Sequence, residues 1–173
     1  VYILRATAGL LETPPVSNPI ETAQSEKSRN TSPDVSEADL QDLVSGNSDF
    51  AFEFYQAASQ DDQNLFFSPY SISMALAMTY AGARTNTEQE MKDTLYFLSQ
   101  DILHPGFNFL DLELAARAEA AEGDGFQLNI ANAIWGQTGH PFLPDFLDTL
   151  ALNYGAGMNL LDFSASPENS RIT

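Results

Sequence analysis

Few side chains in these 173 residues have the types and spacing that chemistry needs. Cys is absent, which removes thiolate nucleophiles, thiolate metal sites and disulfides. His104 and His140 each stand directly before a proline. Neither has a second His or a carboxylate at ligand spacing, so no zinc site is supported, and both are expected as exposed turn residues. The acid pairs Asp61-Asp62 and Asp111/Glu113 lack the Gly-centred loop of a calcium site and are expected on solvated surface. No G-x-S-x-G elbow, P-loop or G-x-G-x-x-G occurs, nor any nucleophile with a base beside it. The reading is therefore not an enzyme, with no catalytic residue, metal or cofactor. The informative polar residues are Asn64, Ser68 and Ser71. Ser68 and Ser71 are three apart and share one face of an uncharged helix, where a hydroxyl costs free energy unless it is hydrogen-bonded. Ser68 is explained as a cap. Ser71 either bonds back to its own helix, the better reading on spacing alone, or reaches a neighbouring element.

The elements that would position these residues are legible in turn. Residues 1–45 are rich in Pro, Ser, Thr, Asn and Glu from Leu11 onward, a composition that cannot offset backbone ordering and predicts a flexible extension. Within it, Ala6-Thr7-Ala8 after Val1–Leu4 has the small-x-small form of an export-signal remnant, although a start inside a longer chain fits equally. Asn30-Thr31-Ser32 is an N-glycosylation sequon, meaningful only in a glycosylating compartment. Order is expected near Asn47, with Asn47 or Ser48 capping a helix that carries Ala51, Phe54, Tyr55 and Ala58. Leu65-Phe66-Phe67 predicts a short strand. Ser68-Pro69 then opens a helix over Pro69–Ala81, because Ser is a preferred N-cap and Pro a preferred first residue. With no charge on any face and too short to cross a bilayer, this helix must be buried in protein. Thr87-Glu88-Gln89-Glu90 predicts a capping box, Thr87 and Glu90 satisfying two N–H groups. His104-Pro105-Gly106 predicts a break before an amphipathic stretch from Phe107 to Ala121. Phe126 to Trp135 alternates apolar and polar residues, the period of a half-buried strand that includes Asn132 and Trp135. A helix over 144–154 and a strand from Met158 to Phe163 follow.

The run Asn64-Leu65-Phe66-Phe67-Ser68-Pro69-Tyr70-Ser71-Ile72-Ser73-Met74-Ala75-Leu76-Ala77-Met78, with Gly82-Ala83-Arg84 and Thr87–Met91 behind it, resembles the early helices of the serpins, a family of serine protease inhibitors. Asn47–Tyr55 resembles that family's first helix, Leu128–Trp135 a strand of its large A sheet, and Tyr154 through Phe163 the segment after it. The resemblance implies an α+β fold: residues 46–173 as the N-terminal portion of a serpin domain, with helices A to E, a short B-sheet strand and two strands of sheet A. It implies that the chain stops before the helix that crosses sheet A, so the reactive centre lies outside it. It also implies a shutter role for Asn64, Ser68 and Ser71, beneath a sheet that opens to admit the cleaved reactive loop in a metastable fold. The partner so implied is a chymotrypsin- or subtilisin-like serine protease, and the location extracellular or periplasmic. The alternative is a non-inhibitory or truncated serpin serving as a binding protein.

Charge narrows the partners. Asp and Glu number 24 against 7 Lys and Arg, a formal net charge of −17. Such a chain lacks the cations that displace counterions from nucleic acid or anionic membranes. No heparin binding is expected through the family's helix D, whose counterpart at Phe107–Glu119 has only Arg117 as a basic residue. No apolar run approaches the ~18 residues of a membrane span.

Overall fold

A computed structural model describes residues 21–59, 64–120, 130–165 and 167. In chain order the elements are β1 (Glu21–Ala23), α1 (Glu37–Ala58), α2 (Pro69–Tyr80), α3 (Thr85–Leu95), α4 (Gln100–Ala120), β2 (Ile134–Gln137), α5 (Pro144–Tyr154) and β3 (Met158–Leu161). The strands form one sheet in the order β1-β3-β2. β2 and β3 run parallel, Ile134 opposite Met158 and Gln137 opposite Leu161, with α5 as the crossover that a parallel pair requires. β1 adds antiparallel to the other edge of β3.

α2 begins where Ser68-Pro69 predicts. The Ser68 hydroxyl oxygen accepts from the Ser71 amide at 3.3 Å, and Pro69 occupies the first turn. The absence of charge on this helix follows from its burial on two sides. Met74, Ala77 and Tyr80 enter a core shared with Leu43 and Phe50 of α1 and Leu103 and Phe107 of α4. Met78 and Ala81 enter a second core with Phe146 and Leu150 of α5 and Met158 of β3. Each buried Met contributes roughly 1.5–3 kcal/mol, and with residues in both cores α2 joins the helical layer to the sheet. α5 spans the expected 144–154 and ends at Gly155, in a left-handed turn (φ 60°) whose N–H donates to the Ala151 carbonyl, a conformation that costs glycine little.

Several expectations are corrected. The segment 21–45 is not a flexible extension: it contains β1 and the first turns of α1. α1 starts at Glu37, ten residues before Asn47, because the Ser36 oxygen accepts from the Asp39 amide at 3.1 Å. Ser48 lies inside that helix and donates to the Val44 carbonyl at 2.8 Å. Thr87 and Glu90 form no capping box. α3 starts three residues earlier, with Arg84 rather than Thr87 in the cap position and no side-chain cap, and Glu90 Oε1 accepts from the Asn86 side-chain Nδ2 at 2.7 Å. Its entry is held from a distance: Gln100 Nε2 donates to the Tyr80 and Ala83 carbonyls and to Glu88, at 3.0, 3.1 and 3.0 Å. That anchoring supports Thr85 at φ 56°, an unusual conformation for a β-branched residue.

Pro105 does not break α4 but lies inside it. It removes only the bond to the Asp101 carbonyl, on an exposed residue, and the burial of Leu103 and Phe107 on either side offsets that loss. Gly106 permits the packing, since a Cβ there would stand 2.8 Å from Leu43 Cδ2 of α1. Residues 65–67 are irregular rather than a strand, and Phe66 is 99% exposed. Of the strand expected over Phe126–Trp135, residues 126–129 lie outside the described residues and pairing is observed from Ile134. Asp61 and Asp62 and the export-signal pattern at 1–8 also lie outside them.

Candidate functional site

The N-terminus of α2 brings two of the three singled-out residues together. Ser68 is exposed, while Ser71, one turn along, is half-buried with its amide on the Ser68 oxygen. Asn64 is exposed in the irregular segment before the helix. Further along, Ser73 is fully buried, and its hydroxyl has no partner among the described residues. It was not singled out from sequence, although its place two residues after Ser71 in an uncharged helix was a usable signal. An unpaired buried hydroxyl costs roughly 1–3 kcal/mol.

α4 and α5 bring together a polar cluster that sequence reasoning missed. His104 is not an exposed turn residue: it is 3% exposed, and its Nδ1 stands 2.7 Å from the Tyr154 hydroxyl of α5. Burial, with a smaller effect from Arg84, pushes its pKa down to about 4, so the ring is neutral at neutral pH. Burial likewise raises Tyr154 and Tyr70 well above the usual tyrosine range, and the Tyr70 hydroxyl is also buried without a partner among the described residues. One turn on from His104, Asn108 is fully buried. Its Oδ1 accepts from Arg29 Nε at 2.8 Å and its Nδ2 donates to the Asn30 carbonyl at 2.7 Å. The His104 and Asn108 spacing of four was the available signal, masked by reading Pro105 as a break. His140 is exposed, as expected, and its ring meets Phe142 edge-on.

On the sheet side, Trp135 is half-buried in β2 and lines an apolar groove of about 520 Å³ with Thr79, Arg84, Met91, Phe142 and Phe146. Asn132 precedes β2, its side-chain nitrogen buried without a partner among the described residues. β2 is the last strand of the described sheet, so its second edge carries no strand. No three His, Asp or Glu residues among the described residues converge as metal ligands, and no described helix is long and apolar enough to cross a membrane. Asn30 is exposed, and its side-chain oxygen accepts from the Ser32 amide at 3.0 Å.

The model of the serpins, serine protease inhibitors, fits residues 45–172. Human leukocyte elastase inhibitor is 33% identical over 136 residues, 78% of this chain and 35% of that protein. The Rattus norvegicus leukocyte elastase inhibitor A is 35% identical over 134 residues, 76% of this chain and 34% of the relative. An uncharacterized serpin-like protein of Methanosarcina mazei is 34% identical over 137 residues, 76% of this chain and 31% of its own length. Cleaved kallistatin, crystallised with heparin, superposes with a TM-score of 0.63 at 29% identity, over 77% of this chain and 39% of that one. Maspin gives 0.62 at 18% identity, over 78% and 35%, a likeness of fold. The chain therefore spans about a third of the length of the relatives it matches. With the fold, the order of its elements and the family model agreeing, this chain belongs to the serpins, a family of protease inhibitors rather than enzymes, and carries the N-terminal part of their fold.

Proposed function

We propose that the full-length protein inhibits serine proteases of the chymotrypsin or subtilisin type, trapping them by inserting a cleaved reactive loop into the sheet to which β2 and β3 belong. The match of residues 45–172 to the inhibitor family is the observation that carries this reading. The names of the relatives support it: several are elastase inhibitors. In this reading Asn64, Ser68 and Ser71 form the shutter, and Asn132 and Trp135 mark the sheet strand that the shutter helix supports. The half-buried Ser71 and the fully buried Ser73 give α2 small hydroxyls where a moving sheet needs exchangeable partners. Heparin is not engaged through α4, whose segment 107–119 carries Asp111, Glu113 and Glu119 against Arg117. The protein acts outside the cytoplasm, extracellular or periplasmic, and in a glycosylating host the exposed Asn30 carries the glycan. Glycosidase treatment that leaves the secreted protein's mass unchanged contradicts the glycan.

Mixing the full-length protein with proteases of both types tests the inhibitory reading. An SDS-stable covalent complex is expected. Digestion without a complex, or no reaction, overturns it in favour of a non-inhibitory binding protein.

A further inference from the structure

Residues 21–30 make long-range contacts along their whole length. Glu21, Thr22 and Ala23 pair with Leu160, Asn159 and Met158 of β3. Ser25 donates to Asp148 of α5 at 2.5 Å, and Lys27 bridges the same carboxylate at 2.7 Å. These two hold Asp148 below the usual carboxylate range. Arg29 is forked between Asn108 and Asp111 of α4, at 2.8 and 2.7 Å. The Asn30 amide donates to the Leu152 carbonyl of α5 at 2.9 Å. Asn108, fully buried, uses both ends of its amide on this segment.

The α5–β3 turn is shaped to receive it. A Cβ on Gly157 would stand 2.8 Å from Thr22 Cγ2 and 3.0 Å from Gln24 Cβ, and one on Gly155 3.1 Å from Arg29 Cδ. Gly157 does not have positive φ, so its backbone does not require glycine. The space it leaves is filled by the segment.

An apolar strand edge such as Met158–Leu161 is a template for another chain, and proteins blunt such edges with short, charged strands. β1 is three residues long, begins with Glu21 and runs on into Gln24, Glu26 and Lys27. We propose that residues 21–30 are an intrachain guard that closes the outer edge of β3 to strand addition by a second copy of this chain, and clasps β3 to α4 and α5. The guard does not depend on the inhibitory reading.

The test compares the intact full-length protein with a form lacking residues 1–30, following oligomerisation by light scattering and hydrogen exchange at Met158–Leu161. Exchange about tenfold faster is expected, as loss of one or two net hydrogen bonds gives, with oligomers that a synthetic peptide of residues 19–32 suppresses. Two variants keep the full chain: Gly157→Val, which crowds the guard out, and Arg29→Ala, which opens the clasp. Both are expected to move the same two readouts in the same direction, and they decide the matter if the shortened form does not fold. Unchanged exchange and a stable monomer in the shortened form or in both variants overturn the guard, as do oligomers that the peptide leaves untouched.

Discussion

His104 shows how a residue's role depends on partners remote in sequence. Next to a proline it reads as a turn residue, yet α4 continues through Pro105 and carries the ring into the core against Tyr154. The folded protein disfavours the imidazolium, with a pKa near 4 against an ordinary 6.5. Between those values the unfolded chain binds more protons, so stability is complete above about pH 6.5 and is lost as pH falls toward 4. The loss expected from this one group reaches ~3 kcal/mol. Denaturant unfolding of the full-length protein at pH 7 and pH 5 is expected to show that slope, and His104→Gln to flatten it. An equal slope in the variant assigns the pH dependence elsewhere. Ser71 carries the second prediction at this scale. A phenyl ring on this half-buried face overpacks the site, at about 1–3 kcal/mol. Ser71→Phe is expected to speed heat-induced oligomerisation of the full-length protein, and oligomers forming no faster than wild type remove Ser71 from the shutter.

Elements were legible where a local signal and the tertiary structure agree. Ser68-Pro69 starts α2, the helix expected over 144–154 is α5, and the run from Met158 supplies β3. They were illegible where distant groups satisfy the backbone. α3 starts ahead of the Thr87–Glu90 box, and Gln100, remote in sequence, bonds the Tyr80 and Ala83 carbonyls of the turn that leads into it. α1 was misplaced although Ser36-Glu37-Ala38-Asp39 is itself a recognisable helix start. The continuity of α4 depends on burying Leu103 and Phe107, energy that no local propensity contains. Leu103→Ala is accordingly expected to cost ~2–5 kcal/mol, read as a lowered unfolding midpoint. A loss below about 0.5 kcal/mol, the range of a surface change, contradicts the central place given to that core.

At the scale of the molecule, the sequence disclosed the family through the Asn64–Met78 block, but not the sheet edge that β1 covers. Three residues with no apolar period cannot announce a strand; β1 exists because β3 offers an edge and Gly157 leaves room. The residues proposed for the shutter do not all meet. Ser68 and Ser71 lie on one helix face, whereas Asn64 is exposed before it. Among the described residues the two edges differ in kind: that of β3 is covered by β1, that of β2 carries no strand. That open edge suits a larger sheet, as do relatives about three times the length of the matched region. The net charge of −17 still argues against nucleic acid as a partner, without selecting a protease. The most direct measurement is the intact mass of the full-length protein, denatured after mixing with an equimolar chymotrypsin- or subtilisin-type protease. A covalent adduct is expected, equal to protease plus inhibitor less the peptide C-terminal to the cleaved bond. Only the two unmodified masses, or a ladder of digestion fragments, would contradict the trapping mechanism.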